Sequence, residues 1–396
     1  MQQCGFLTEN QRCSEGNGDM NLSRRSFLGV GVNAAALMFK ERQQPSFSAD
    51  RSLPPLVFIH GIKGGVLSDA QGVVHWLNVW QGLGLASTDL RLPLKWQGEV
   101  QERDGLVATE PLSAVAWHEV YAPFLHWASA SGRVFRPFAY DWRRDNQENT
   151  DELVKFLEKV SGENGGARVQ VAAHSMGGLI TFVVLNRRPD LFHSVLFAGV
   201  PFGSSISFLE DMHSGTSNGF NKRILNPQVL FTFVSPYTLF PADPKESGLA
   251  DAHGNRIMHD WFSVDDWSRQ KLGIFAISGS GGVTAEQREH LRKALNRARQ
   301  FRSWLAFKKS VPYPPIAVLA SDARPTLLTV IRNGPRSVRG WDFITAPKKP
   351  GDERVDFERA ITPAGVPHSV FKSSRAHEDL LNDTRQVGAI LARLAE

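Results

Sequence analysis

An apolar strand pattern runs straight into an apolar helix pattern in the stretch RVQVAAHSMGGLITFVVL. Val169 to Ala172 is typical of a buried strand and Gly178 to Leu185 of a buried helix, so Ser175 falls on the turn between them. A strand-to-helix turn this sharp strains the backbone of its central residue and lifts that side chain clear of the sheet. The pattern therefore predicts a nucleophile at Ser175.

Small residues flank this serine at the spacing that such a turn requires. Ala173 and Gly177 stand two residues to either side of Ser175, which makes A-x-S-x-G, one methyl larger than the usual G-x-S-x-G. The alternative role for this serine is a helix N-cap, which involves no chemistry. The flanking strand and helix favour catalysis over capping.

The rest of the chain alternates between strand and helix patterns. Pro55 to Ile59 and Phe135 to Trp142 read as strands, and Glu152 to Val160 reads as a helix. Ser113 to Ser129 has helical spacing, with Val115, Val120, Phe124 and Leu125 on one face. Alternation of this kind predicts an α/β fold with a mainly parallel sheet.

A glycine-rich loop follows the first strand, in the order His60-Gly61-Ile62-Lys63-Gly64-Gly65. The loop lacks the Lys-Ser/Thr ending of a P-loop and the spacing of a dinucleotide fingerprint, so nucleotide binding is the weaker interpretation. The backbone N–H of Met176, at the helix N-terminus, is the first expected oxyanion donor. The loop around Ile62 and Lys63 is expected to supply the second.

A nucleophilic serine needs a base and an acid, which follow it in the chain in the order acid, then histidine. His377, before an amphipathic terminal helix, is the predicted base, and His368, in a Gly/Pro turn, is the weaker alternative. The acid should follow a late strand, and residues 327–331 (LLTVI) have a strand pattern. Asp352, beside Gly351, is the predicted acid. The alternatives for the acid are Glu353, Asp356 and Asp322.

Taken together, these motifs resemble the lecithin:cholesterol acyltransferase-like family of α/β-hydrolases. The segments that carry the resemblance are LVFIHGIKGG, Tyr140-Asp141-Trp142-Arg143, His174 to Gly178, GVPFGSS from Gly199 to Ser205, GDERV, and a histidine before Leu-Leu. The resemblance implies an α/β-hydrolase fold with Ser175 as nucleophile, Asp352 as acid and His377 as base. Ala173 in place of glycine, and GDERV without a central Gly-Thr, depart from the family pattern.

The strand and helix alternation lapses over residues 204–311, which are rich in Phe, Trp and Pro. The length and position of this segment predict a helical cap over the site, which would suit an apolar acyl chain. Thr284 to Lys309 is predicted as its longest helix, opened by a capping box of Thr284 and Gln287. Its basic amphipathic pattern fits either a membrane surface or a solvated helix packed on the core.

Composition narrows the class of partners. The formal net charge is +5, a mild excess that favours anionic surfaces such as phospholipid headgroups but does not indicate nucleic acid binding. The two cysteines, Cys4 and Cys13, precede the predicted domain, so no thiol nucleophile is expected there. No zinc-type Cys/His spacing occurs, and neither a metal nor a cofactor is predicted.

The N-terminal segment MNLSRRSFLGVGVNAAALMF, from Met20 to Phe39, has a polar start with Arg24 and Arg25 and then a short apolar run. It resembles a bacterial twin-arginine export signal. An ordinary basic amphipathic helix is the alternative. We therefore expect a leader at 1–49 and an α/β-hydrolase domain at 50–396, in a periplasmic or extracellular protein that associates with membranes. The expected activity is acyl transfer from a lipid ester, and the alternatives are lipid ester hydrolysis and non-catalytic lipid binding.

Overall fold

The computed structural model describes residues 52–218, 221–279 and 281–396. The predicted export signal lies outside these residues. Within the described part of the chain, no helix is both long enough and apolar enough to cross a membrane.

The secondary structure elements are numbered here in chain order. The helices are α1 (Val79–Gly82), α2 (Ala122–Ala130), α3 (Asn146–Glu163), α4 (Met176–Arg187), α5 (Ser207–Ser214), α6 (Pro227–Phe231), α7 (Val264–Arg269), α8 (Ile274–Ile277), α9 (Ala285–Ser303) and α10 (Thr384–Ala395). The first strands are β1 (Leu56–Ile59), β2 (Gly65–Ser68), β3 (Val74–Trp76), β4 (Trp96–Gln97), β5 (Val100–Gln101), β6 (Val107–Pro111), β7 (Ala114–Val115), β8 (His118–Glu119), β9 (Phe135–Phe138) and β10 (Val169–His174). The later strands are β11 (Phe192–Ala198), β12 (Thr216–Asn218), β13 (Asn221–Leu225), β14 (Leu249–Ala250), β15 (Ile316–Ser321), β16 (Arg324–Leu327), β17 (Val330–Arg332), β18 (Trp341–Asp342), β19 (Lys348–Gly351) and β20 (Ser369–Ser373).

The central sheet has six strands in the order β20-β15-β11-β10-β1-β9, and every neighbouring pair is parallel. The carboxyl ends of parallel strands lie along one edge of a sheet, where open α/β sheets place their ligand sites. The loops after β1, β10 and β20 therefore reach the same edge. The predicted α/β-hydrolase fold with a mainly parallel sheet is confirmed.

Strand β1 shows why an inner strand of this sheet is apolar along its whole length. Its four residues are all buried, with Val57 and Ile59 in one core cluster and Leu56 and Phe58 in another. The first cluster takes side chains from α3 and α4, and the second takes them from α2 and α10. Both faces of the sheet are thus covered, which requires continuous apolar strands rather than alternating ones.

Two predicted elements differ from the structure. The helical stripe predicted over 113–129 begins only at Ala122, because residues 114–119 form the β7–β8 hairpin instead. The single strand predicted at 327–331 is split between β16 and β17, which belong to separate small sheets. The last strand of the central sheet before Asp352 is β15, whose six residues are all buried.

Helix α9 is the long helix predicted within residues 204–311, and it ends at Ser303 rather than Lys309. Its capping box is confirmed, since Thr284 and Gln287 exchange side-chain to backbone hydrogen bonds. The apolar face of the helix, which includes Leu291 and Leu295, is buried in the larger core cluster. This helix is therefore packed on the core, and its apolar face is not free to enter a membrane surface.

Candidate active site

Ser175 stands between the end of β10 and the start of α4, with φ 51° and ψ −129°. A non-glycine residue with positive φ is strained, as expected at the centre of a strand-to-helix turn. The Ser175 side chain makes no capping hydrogen bond to its helix. The capping alternative is therefore wrong, and the hydroxyl is left for another partner.

The helix that follows Ser175 passes very close to strand β1. A Cβ placed on Gly177 would lie 2.2 Å from the carbonyl oxygen of His60. A Cβ on Gly61 would lie 2.9 Å from the Cβ of Ser175. Bare backbone at both positions lets the glycine-rich loop pass directly beside the serine.

The structure brings the three predicted catalytic residues into one hydrogen-bonded chain. His377 Nε2 lies 2.9 Å from Ser175 Oγ, and His377 Nδ1 lies 2.8 Å from Asp352 Oδ2. Because a carboxylate only accepts, Nδ1 carries the proton and Nε2 is the acceptor that faces the serine hydroxyl. All three residues are buried. This is the geometry that a nucleophile, a general base and an orienting acid require.

Asp352 is held from both its side chain and its backbone. Its Oδ1 accepts hydrogen bonds from the backbone N–H groups of Arg354 and Val355, and its carbonyl accepts from the N–H of His377 at 2.8 Å. Burial acts to raise the pKa of Asp352, but the charge and hydrogen bond of His377 and the two N–H groups outweigh it. The net effect is a pKa below the ordinary value, so the carboxyl is ionised at neutral pH.

The alternative histidine and acids lie elsewhere in the structure. His368 is exposed, and its Nδ1 contacts the carbonyl of Val366 at 2.8 Å. Asp322 pairs with Lys372 at 2.6 Å. The other two acids, Glu353 and Asp356, are engaged with arginines, namely Arg324 at 3.9 Å and Arg359 at 3.5 Å.

The residues predicted to form the oxyanion hole surround the serine. Met176 is the first residue of α4, so its N–H has no partner within the helix. Ile62 and Lys63 line the same cavity as Ser175, in a turn closed by the hydrogen bond from Gly64 N–H to Gly61 O at 3.1 Å. Within the described residues, no hydrogen bond engages the Ile62 N–H. The site thus offers two open backbone donors, at Met176 directly after Ser175 and at Ile62 in the glycine-rich loop.

The structure gives the Tyr-Asp-Trp-Arg segment a role that residue types alone did not reveal. Tyr140 Oη donates to the carbonyl of His60 at 3.0 Å, and Trp142 Nε1 donates to the carbonyl of Gly65 at 3.0 Å. The two donors hold the glycine-rich loop at its two ends. Arg143, which is fully buried, pairs with Asp141 of the same segment at 2.7 Å.

A cavity of about 360 Å³ opens beside Ser175. Its apolar lining includes Trp76, Leu77, Leu112, Val115, Trp117, Val120, Tyr121, Phe208 and Leu239. Its ionisable lining residues include Lys63, His118, Asp211, Arg354 and Glu378. A mainly apolar cavity with a few convergent polar groups suits a ligand with a hydrocarbon part and an ester.

Lys63 joins the glycine-rich loop to other walls of this cavity. Its carbonyl accepts from Trp76 Nε1 at 3.0 Å, and its Nζ lies 3.4 Å from Asp211 Oδ2. The same carboxylate oxygen lies 3.6 Å from Arg354, which is two residues after the predicted acid. Neither Asp211 nor Arg354 was singled out from the sequence, because their contacts join distant parts of the chain.

No group of three or more His, Cys, Asp or Glu side chains suited to hold a metal ion occurs in the part of the chain that the structure describes. The polar side chains around Ser175 are instead engaged with one another.

Comparison with known families supports the resemblance read from the motifs. Residues 99–255 match the family model of lecithin:cholesterol acyltransferase. This span includes the Tyr140–Arg143 segment and Ser175.

Among curated proteins, the chain is 27% identical over 191 residues to lecithin-cholesterol acyltransferase-like 4 of Arabidopsis thaliana, a match that covers 40% of this chain and 35% of that protein. It is 28% identical over 109 residues to the Homo sapiens lysosomal phospholipase A and acyltransferase, covering 26% of each chain. The chain spans about a third or less of the length of these relatives.

Among solved structures, the fold is similar to that in the crystal structure of the Tle4-Tli4 complex, with a TM-score of 0.53 and 14% sequence identity. That match covers 87% of this chain and 99% of the other. At this identity the likeness concerns the fold alone.

Proposed function

We propose that this chain, which is similar to lecithin:cholesterol acyltransferase-like proteins, transfers an acyl group from a lipid ester to an alcohol through an acyl-enzyme on Ser175. The observation that carries the proposal is the chain of hydrogen bonds from Ser175 through His377 to Asp352, beside a mainly apolar cavity. Relatives named as acyltransferases and a phospholipase support lipid esters as the substrate class.

The reaction follows from the geometry in two halves. In the first half, Ser175 Oγ attacks the ester carbonyl while His377 Nε2 takes the serine proton. The N–H groups of Met176 and Ile62 stabilise the oxyanion that forms. The C–O bond to the leaving alcohol then breaks, and that alcohol takes the proton from His377. In the second half, an acceptor alcohol gives its proton to His377 and attacks the acyl-enzyme. Collapse of that intermediate returns the proton to Ser175 and releases a new ester.

Hydrolysis is the second candidate and uses the same acyl-enzyme with water as acceptor. The apolar lining of the cavity favours a lipid alcohol over water, because a closed apolar site slows hydrolysis of a reactive intermediate. Product analysis with labelled phospholipid, with and without a sterol or long-chain alcohol, separates the two. A labelled ester that forms only when alcohol is present supports transfer, whereas free fatty acid at an unchanged rate supports hydrolysis.

Non-catalytic lipid binding is the third candidate, and a fluorophosphonate probe tests it. We expect the probe to label the folded wild-type protein at Ser175, as located by mass spectrometry, and not to label S175A. A folded wild-type protein that takes up no label would favour a binding module that kept the fold.

We also propose that part of residues 204–311 forms a cap over the site. Ser205, Ser207 and Phe208 line the cavity from this segment, which supports that role. Limited proteolysis with and without a long-chain phosphonate tests it, since a cap that closes on an acyl chain should become more protected.

Contact with a membrane surface is proposed at the rim of this cavity. Trp80 and Leu85 are 60% and 70% exposed, and each follows a cavity-lining residue, Leu77 and Gly82 respectively, by three positions in the chain. Exposed apolar side chains beside a lipid cavity favour binding to an interface. The net charge of +5 favours an anionic one.

Export by the twin-arginine route is proposed from the sequence of the N-terminal segment alone. Replacing Arg24 and Arg25 by lysine in the full chain should retain the protein in the cytoplasm of a bacterial host. Cell fractionation measures this, and a protein that reaches the periplasm unchanged would contradict the proposal.

A further inference from the structure

Three buried hydrogen bonds connect the glycine-rich loop to the backbone of His377. The N–H of Gly61 donates to Tyr121 Oη at 3.0 Å. Tyr121 Oη lies 2.7 Å from His174 Nδ1, and His174 Nε2 lies 2.9 Å from the carbonyl oxygen of His377. Tyr121 and His174 are both buried, so water does not compete for these bonds.

The chemistry of the groups sets the direction of every bond in this chain. The carbonyl of His377 can only accept, so His174 Nε2 carries the proton. Burial is the main cause that lowers the pKa of His174 to about 3, so the ring is neutral and Nδ1 is an acceptor. Tyr121 must therefore donate its proton to His174 and accept from Gly61. Tyr121 Oη thus has one donor and one acceptor as partners, and each ring nitrogen of His174 has one matching partner.

These hydrogen bonds also determine which backbone N–H groups of the glycine-rich loop remain without a partner. Tyr121 occupies the N–H of Gly61, and the next N–H, that of Ile62, remains available to an oxyanion. A Cβ on Gly61 would lie 3.0 Å from His174 Nδ1, so the loop rests directly on this ring. Sliding the loop would break its hydrogen bond to Tyr121 or press it into His174.

At the His377 end, the same series of hydrogen bonds sets the position of the proposed base. The rings of His174 and His377 pack with their centroids 4.8 Å apart. The hydrogen bond from His174 Nε2 fixes the backbone from which the His377 imidazole extends. Because His174 directly precedes Ser175, the turn that carries the nucleophile also carries a support for the base.

We propose that Tyr121 and His174 are positioning residues that hold the oxyanion donors and the catalytic imidazole in a common alignment with Ser175. The inference rests on the proposed acyl transfer or hydrolysis at this site. Alignment of donors and base matters most in the transition state, and misplacing a reacting group by about 1 Å costs on the order of 100-fold in rate. The two residues therefore act on kcat rather than on substrate binding.

The test compares Y121F with a matched variant, Y237F. Tyr237 is equally buried, and its hydroxyl donates to the carbonyl of Phe231 at 3.2 Å without lining the cavity. With a soluble p-nitrophenyl ester, we expect Y121F to lower kcat about 10- to 100-fold with KM within about twofold. We expect Y237F to keep kcat while losing a similar amount of thermal stability. A Y121F kcat within about twofold of wild type, or an equal loss in Y237F, would overturn the proposal.

Substitutions of His174 separate the alignment role from general packing. His174→Gln keeps a donor near the position of Nε2, and His174→Ala removes it. We expect H174Q to recover at least about tenfold in kcat over H174A, in line with the cost of a misplaced base. Equal kcat values in the two folded variants would contradict the proposal, and if H174A does not fold, Y121F decides.

Wild-type and S175A proteins measured in parallel keep the two claims apart. If wild type neither hydrolyses the ester nor reacts with a fluorophosphonate, the proposed function fails. If wild type does both and Y121F matches it, only the positioning role fails.

Discussion

The N-terminus of helix α4 and the end of strand β1 meet at bare backbone, since a Cβ on Gly177 would lie 2.2 Å from the carbonyl oxygen of His60. No rotamer change relieves this contact, because the backbone fixes the position of a Cβ and its partner is a backbone carbonyl oxygen. We therefore expect G177A to lose about 1–3 kcal/mol of unfolding free energy, or more, measured by urea denaturation. The strand-to-helix turn at Ser175 should shift with it, so esterase activity should fall as well.

Gly162 is the matched control for that substitution. It lies in α3, and a Cβ there would meet no atom within 4 Å. Because alanine restricts the unfolded chain more than glycine does, G162A should gain about 0.5–1 kcal/mol. Equal stability of G177A and wild type would contradict the close approach of Gly177 to the carbonyl oxygen of His60.

The two late histidines should differ sharply in their effect on activity. His377 contacts Ser175 and Asp352, whereas His368 contacts Val366 at an exposed turn. We expect H377A to lower kcat by about 10⁴- to 10⁶-fold and H368A to leave it within about twofold. Steady-state kinetics on a soluble ester measure both, and retained activity in H377A would exclude it as the base.

The acid can be tested by removing one charge without changing shape. We expect D352N to lower kcat about 10⁴-fold, because an amide no longer selects the imidazole tautomer whose Nε2 faces Ser175. D322N is the control, since Asp322 pairs with Lys372 on the surface. If both variants keep wild-type kcat, Asp352 does not orient the base.

Stability at acidic pH should depend on Asp342. Burial acts to raise its pKa, but hydrogen bonds from Thr345 and from the backbone of Arg336 and Ile344 lower the pKa from 3.8 to about 2. As pH falls, the unfolded chain therefore takes up this proton before the folded one does. The stabilisation by Asp342 is complete above about pH 4, decreases between pH 4 and pH 2, and is lost below pH 2.

The measurement for this site is the difference in unfolding free energy between wild type and D342N as a function of pH. Other acids are common to both proteins and cancel in the difference. We expect the gap to narrow as pH falls from 4 to 2. A constant gap over that range would show that the Asp342 pKa is not lowered by folding.

The exposed apolar side chains of Trp80 and Leu85 should matter only at a lipid interface. Burying one such side chain in lipid contributes about 1.5–3 kcal/mol, so L85S should weaken binding to anionic phospholipid vesicles about tenfold or more. W80S should act in the same direction. Hydrolysis of a soluble short-chain ester is the control and should stay within about twofold, and unchanged vesicle sedimentation would exclude this rim as the contact surface.

Local sequence carried a large part of this architecture. The strand-to-helix turn at Ser175 is specified by the small residues around it, which lie between an apolar strand and an apolar helix. The geometry of such a turn depends on neighbours in the chain. Burial on both faces of a parallel sheet likewise requires a continuous apolar run, which the sequence of β1 shows. The capping box of α9 is similarly local.

The rest of the fold and of the site depends on contacts between distant parts of the chain, which local residue patterns do not encode. Local spacing predicted one helix over 113–129, but packing turns residues 114–119 into a hairpin beside the cavity. The fold also places Asp352, one of four candidate acids, in contact with His377. It connects Gly61 to His377 through hydrogen bonds of Tyr121 and His174. Hydrogen bonds that span 25 to more than 200 residues depend on where the sheet delivers each loop, which is a property of the whole fold.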